Sequence, residues 1–140
     1  MSEQRDIRKM KLYNCVLIID DDTISSFANK FLLERMGIAK MVVVVNNGLI
    51  ALDFLKNYCK NNEGNCPELI LLDLKMPVMD GFEFLEKFKE LTITNKEKVK
   101  TLVLTSSEDL LDLRRIQEYN LSGYIVKPLT LKKMLTLTLN

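Results

Sequence analysis

The chain has 140 residues, 47% of them hydrophobic and 28% charged, with 20 Lys+Arg against 19 Asp+Glu. That profile fits one globular domain, and a formal net charge of +1 leaves no basic excess for direct binding to a nucleic-acid backbone. Apolar runs such as Met41 to Val45 fall far short of the roughly 20 residues of a membrane-spanning helix, and the mixed-charge N-terminus holds no signal-peptide core, so the expected location is cytoplasmic with no membrane partner.

Five short apolar runs punctuate the chain: Cys15 to Ile19, Met41 to Val45, Leu69 to Leu72, Val99 to Leu104 and Tyr124 to Val126. Their continuous rather than alternating apolar character predicts strands of a parallel sheet covered on both faces. Between the first two, Ile24, Phe27, Ala28, Phe31 and Leu32 fall at helical spacing before Gly37, which predicts an amphipathic helix with that stripe inward. Ala51, Phe54, Leu55, Tyr58 and Cys59 repeat the spacing, as do Phe84, Leu85, Phe88 and Leu91, and then Leu110, Leu113 and Ile116. Residues 135 to 139 alternate like a strand, but Leu131, Met134 and Leu135 keep helical spacing, and position in the repeat decides for a fifth, short helix. Five β-α repeats give an α/β fold: a doubly wound five-stranded parallel sheet with helices on both faces, whose ligand crevice lies outside the carboxyl ends of the strands. The whole chain reads as one domain, with a core of about residues 12–139 and residues 1–11 as an N-terminal extension.

The strand ends carry Asp20, Asp21 and Asp22, then Asp73, then Thr105, Ser106 and Ser107, then Lys127. Carboxylates converging in a partly desolvated crevice repel one another unless a cation compensates, and an oxygen-only donor set favours Mg²⁺ or Mn²⁺ over zinc. A divalent ion, an ammonium and a hydroxyl around one carboxylate suit phosphoryl transfer, with Asp73 as nucleophile forming an acyl phosphate. The chain has no His, which removes the usual general base and zinc ligand. Cys15, Cys59 and Cys66 are expected to be free thiols, Cys15 in the core.

The runs Val16-Leu17-Ile18-Ile19-Asp20-Asp21, Leu69 to Gly81 with Asp73, Leu104-Thr105-Ser106 and Gly123-Tyr124-Ile125-Val126-Lys127-Pro128 resemble, in order, the motifs of response-regulator receiver domains of two-component signalling, of the stand-alone kind. The resemblance implies that Asp73 accepts a phosphoryl group from the phosphohistidine of a sensor histidine kinase or a histidine phosphotransfer protein. It implies that Asp21 ligates the metal directly, Asp20 mostly through water, and that the Lys75 backbone carbonyl completes the protein ligands with Asp73. Thr105 and Lys127 would bond phosphoryl oxygens, and small Ser106 would admit the donor. Tyr124 would move inward with Thr105 and report phosphorylation to a downstream effector whose identity the sequence does not give. A cis Lys127–Pro128 bond is implied as well. Lys75 and Ser107 would border the attacking water, with Lys75 lengthening the phosphorylated lifetime.

Plainer roles are assigned elsewhere. Asp22 is expected to cap a helix, Asp80-Gly81 to make a turn and helix entry, and Lys11, Lys132 and Lys133 to be solvated. Two rival functions use the same residues. One is a phosphorylation-independent docking module on the same fold. The other is an aspartyl-phosphate phosphatase with Asp20 as nucleophile, disfavoured because residues 128 to 140 hold no Asp or Glu to supply its later acidic pair.

Overall fold

The computed structural model describes residues 12–62, 65–106 and 110–138. The N-terminal extension with Lys11, and Ser107, lie outside the described residues. Strands β1 (Tyr13–Ile19), β2 (Ala39–Val45), β3 (Leu69–Asp73), β4 (Lys100–Thr105) and β5 (Gly123–Val126) alternate with helices α1 (Thr23–Met36), α2 (Gly48–Asn61), α3 (Gly81–Glu90), α4 (Leu110–Ile116) and α5 (Leu131–Thr138). All strand pairs are parallel, in the order β2-β1-β3-β4-β5. The doubly wound α/β architecture expected from the β-α repeat is the one observed, with the fifth helix in place of the alternating strand.

Successive residues of each strand point to opposite faces. Val16, Ile18, Leu69, Leu71, Leu102 and Leu104 pack with Leu33, Met36, Met134 and Leu135, which puts α1 and α5 on one side. Leu17, Ile19, Ile70, Leu72 and Val103 pack with Ala51, Leu55, Phe84, Leu85 and Ile116, which puts α2, α3 and α4 on the other. Because β2 is an edge strand, it departs from the expectation of two covered faces: Met41 and Val44 are exposed.

The predicted inner face of α1 is reversed. Ile24, Phe27 and Phe31 are 83%, 71% and 56% exposed, and the face that meets the sheet carries Ser26, Asn29, Leu33 and Met36. Ser26 tolerates burial because its hydroxyl donates to the carbonyls of Asp22 and Thr23, at 3.0 and 3.3 Å. Of the predicted stripe, Leu32 alone packs against the core as a partly buried side chain.

Cys59 and Cys66 are not free thiols but form a disulfide. The end of α2 and the turn into β3 bring their Cα atoms to 4.5 Å, within the range that a bridge spans. Cys15 is a buried free thiol, as expected.

Candidate acidic site at the strand ends

Register assembles the site. Ile19 pairs with both Val45 and Leu72, so Asp20 emerges beside the end of β3. Asp73 pairs with Leu104, and Thr105 with Val126, so Thr105 and Lys127 flank the same rim. The Lys127 N–H donates to the Thr105 carbonyl at 2.8 Å, which locks the last two strand ends together. Lys127 and Pro128 are joined by a cis peptide bond.

Carboxylate oxygens of Asp20, Asp21 and Asp73 lie within 4.8 Å of one another, Asp20 and Asp73 buried and Asp21 exposed. Opposite oxygen ligands of a Mg²⁺ ion lie about 4.2 Å apart, so this cluster needs only a small side-chain adjustment to share one ion. The donor set is all oxygen, which fits Mg²⁺ or Mn²⁺. Facing the cluster, Lys127 Nζ is 3.1 Å from Asp20 Oδ2 and 3.5 Å from Asp73 Oδ2. Burial pushes the Asp73 carboxyl up to about 6; the Lys127 ammonium opposes that rise and the Asp20 carboxylate adds to it. Burial alone would depress Lys127, but Asp73 and Asp20 outweigh it and hold the ammonium above its ordinary value.

Local backbone chemistry supports these positions. Asp20 Oδ1 accepts from the Asp22 N–H at 2.9 Å, and Asp73 Oδ1 accepts from the Lys75 N–H at 3.3 Å. Asp22 caps α1 through the N–H groups of Ile24 and Ser25, and Asp80 caps α3 through that of Glu83. Gly81 is required where it stands: a Cβ there would lie 2.7 Å from the Leu74 Cα and 2.8 Å from the Asp73 carbonyl oxygen. In the loop between, Val78 sits at φ 69° inside a tight turn closed by Met79 N–H to Pro77 O at 2.7 Å, a strained position for a β-branched residue.

Thr105 is buried at the site, Ser106 and Lys75 are exposed at its edge, and Tyr124 on β5 is 42% exposed. One residue expected to be solvated is not. Lys133 is half-buried, and its Nζ donates to the carbonyls of Val126 at 2.7 Å and Pro128 at 3.0 Å, on either side of Lys127. No sequence signal marks it, since a lysine in the first turns of a helix ordinarily reads as surface. Lys132 is exposed, as expected.

The family described as the response regulator receiver domain matches residues 16–138. The chain belongs to the response regulator receiver family. It is a phosphoacceptor domain of two-component signalling rather than a classical enzyme, and membership implies a cognate histidine kinase. Two-component response regulator 24 of Arabidopsis thaliana is 31% identical over 121 residues, covering 86% of this receiver and 78% of the relative. Response regulator Rcp1 of Synechocystis is 28% identical over 119 residues, covering 85% and 80%. The probable C4-dicarboxylate response regulator DctR of Priestia megaterium is 25% identical over 119 residues, and the receiver spans 47% of its length. Among solved structures, a two component response regulator from Cytophaga hutchinsonii superposes with a TM-score of 0.81 at 28% identity, covering 91% of this chain and 95% of that one. The Mn²⁺-bound form of Rcp1 superposes with a TM-score of 0.70 at 26% identity, covering 90% and 89%. The acidic triad of this receiver is of the Mg²⁺-binding type.

Proposed function

We propose that Asp73 is the phosphoacceptor of this receiver, and that the phosphoryl group comes from a histidine of a partner protein. The observation that carries the reading is the Lys127 ammonium seated between two buried carboxylates at the rim where all the strand ends meet. An Asp73 carboxylate oxygen attacks phosphorus, the P–N bond breaks, and its electron pair returns to the imidazole of the donor. Asp20, Asp21, Asp73 and the Lys75 carbonyl would hold a divalent ion, which when bound offsets charge on the transferring phosphoryl oxygens. Lys127 neutralises a second oxygen, the Thr105 hydroxyl bonds a third, and Ser106 keeps the approach open. Lys75 and Ser107 border the path of the hydrolytic water.

The reversed α1 supplies a docking rim. Ile24, Phe27 and Phe31 on α1, Leu49 and Ile50 in the first turn of α2, and Val78 beyond β3 are all exposed on elements that begin at the acidic mouth. Apolar side chains around a charged centre suit a helical partner that presents its phosphohistidine to Asp73. Output passes through Thr105 to the surface around Tyr124, read by an effector protein or used for onward relay. We place this receiver, with residues 1–11 as an extension of its core, in the cytoplasm, acting on proteins rather than nucleic acid or membrane. Among the described residues no helix is long and apolar enough to cross a membrane.

Acid-quenched mapping after incubation with acetyl phosphate tests the acceptor. Label that needs Mg²⁺ and vanishes in Asp73→Asn supports it, label on Asp20 would move the assignment to a phosphatase, and no label from any donor would leave a docking module.

A further inference from the structure

The pole of the sheet opposite the acidic site holds a second piece of chemistry. Cys59, in the last turn of α2, is buried, whereas Cys66 lines a polar cleft of about 600 Å³ with Asn14, Tyr58, Asn62, Glu68 and Lys100. Their disulfide spans seven positions of sequence, and the stretch between them carries Asn61, Asn62 and Asn65 and no apolar side chain. Helix α2 ends without a left-handed glycine; Asn62 closes it with backbone and side-chain donors to the Tyr58 carbonyl at 3.0 and 2.8 Å. Tyr58 in turn stacks on Phe54 and shares a side-chain hydrogen bond with Cys15 of β1, so the bridge anchors a turn that reaches into the sheet.

We infer that Cys59 and Cys66 form a reversible dithiol–disulfide site, reduced by attack at Cys66 from the cleft, which sets the local order of the α2–β3 segment independently of the phosphoacceptor. A thiolate of a low-molecular-weight thiol attacks Cys66 Sγ, the S–S bond breaks, and its electron pair leaves on Cys59 Sγ, which takes a proton from water. A second thiol molecule then displaces Cys66 from the mixed disulfide. The net change is one protein disulfide and two small thiols going to two protein thiols and one small disulfide, and oxidation by a small disulfide is the reverse. Burial of Cys59 directs attack to Cys66. The acceptor is insulated because β3, which follows the bridge, is paired by β1 from Leu69 through Leu72 and by β4 from Leu69 through Asp73.

The test equilibrates the intact, folded protein with mixtures of reduced and oxidised glutathione, traps thiols with a maleimide, and counts them by mass, with hydrogen exchange and Mg²⁺-dependent acetyl phosphate labelling read on the same samples. The expected result is one two-electron transition, absent in Cys66→Ser. Reduction should raise exchange at least tenfold across residues 58–62 and 65–68 while strand β3 stays protected, lower Tm by about 5–10 °C, and leave Asp73 labelling within twofold. Two free thiols on Cys59 and Cys66 at the most oxidising mixture would overturn the proposal. So would a bridge that opens only when the protein is unfolded, or exchange across residues 58–62 and 65–68 that does not change on reduction.

Discussion

Helices α1 and α2 look alike in sequence and behave oppositely in the structure. Both have 14 residues, both start at an Asx cap just after a strand, and both carry an apolar stripe at helical spacing. In α2 the stripe of Ala51, Leu55 and Cys59 is buried, with Phe54 and Tyr58 partly so. In α1 it faces solvent at Ile24, Phe27 and Phe31, and forgoes about 1.5–3 kcal/mol for each large side chain left uncovered. The difference separates two uses of the same pattern: α2 spends its apolar surface on the fold, and α1 leaves its own exposed on the helix that begins at the acidic site.

Substitutions sharpen that contrast. Leu55→Ala, in the fully buried stripe, should cost about 2–5 kcal/mol in denaturant unfolding while the folded fraction still labels with acetyl phosphate. The double change Ile24→Asp with Phe27→Asp should leave stability within about 0.5 kcal/mol yet slow phosphotransfer from a histidine-bearing donor about 100-fold, as loss of apolar anchors at an interface centre does. Acetyl phosphate labelling stays normal in that variant. A large loss of stability there instead would mean that the two helices do not divide the work.

The other predictions compare the site with its surroundings. With the Asp73 carboxyl raised from 3.8 to about 6, the metal-free folded protein takes up a proton as pH falls through 6. Cation binding needs the carboxylate, so Mg²⁺ affinity should be about tenfold weaker at pH 5 than at pH 7, read by isothermal titration. The same sign makes this group's contribution to the metal-free fold greatest below pH 3.8 and lost as pH rises through 6. Lys133→Met removes both donors to the chain around Lys127 and should cut the rate of acetyl phosphate labelling several-fold, with recovery in Lys133→Arg. Lys75→Ala should shorten the phosphorylated lifetime a few-fold, measured by decay of acid-stable label; an unchanged decay would remove Lys75 from the path of water.

Much of this was legible in the chain. The doubly wound parallel sheet followed from buried runs at regular intervals, and the convergence of Asp20, Asp73, Thr105 and Lys127 followed because parallel strands deliver their carboxyl ends to one edge. The orientation of α1 was not legible, because periodicity finds a stripe without saying what covers it, and two polar residues, Ser26 and Asn29, lie on the covered side. Cys59 and Cys66 were read as thiols from the odd cysteine count and an expected reducing cytosol, whereas the pairing depends on where α2 ends. Lys133 was missed because its partners are main-chain carbonyls, which have no sequence signature.

The ion pair between Lys127 and Asp20 joins positions 107 residues apart. During synthesis the three carboxylates are made first and the ammonium that offsets them last. A nascent chain that has reached only β4 therefore carries the acids without their counter-charge, in a sheet still missing its final strand. The charge balance of the acidic site is in this sense complete only once the last strand has been made and docked.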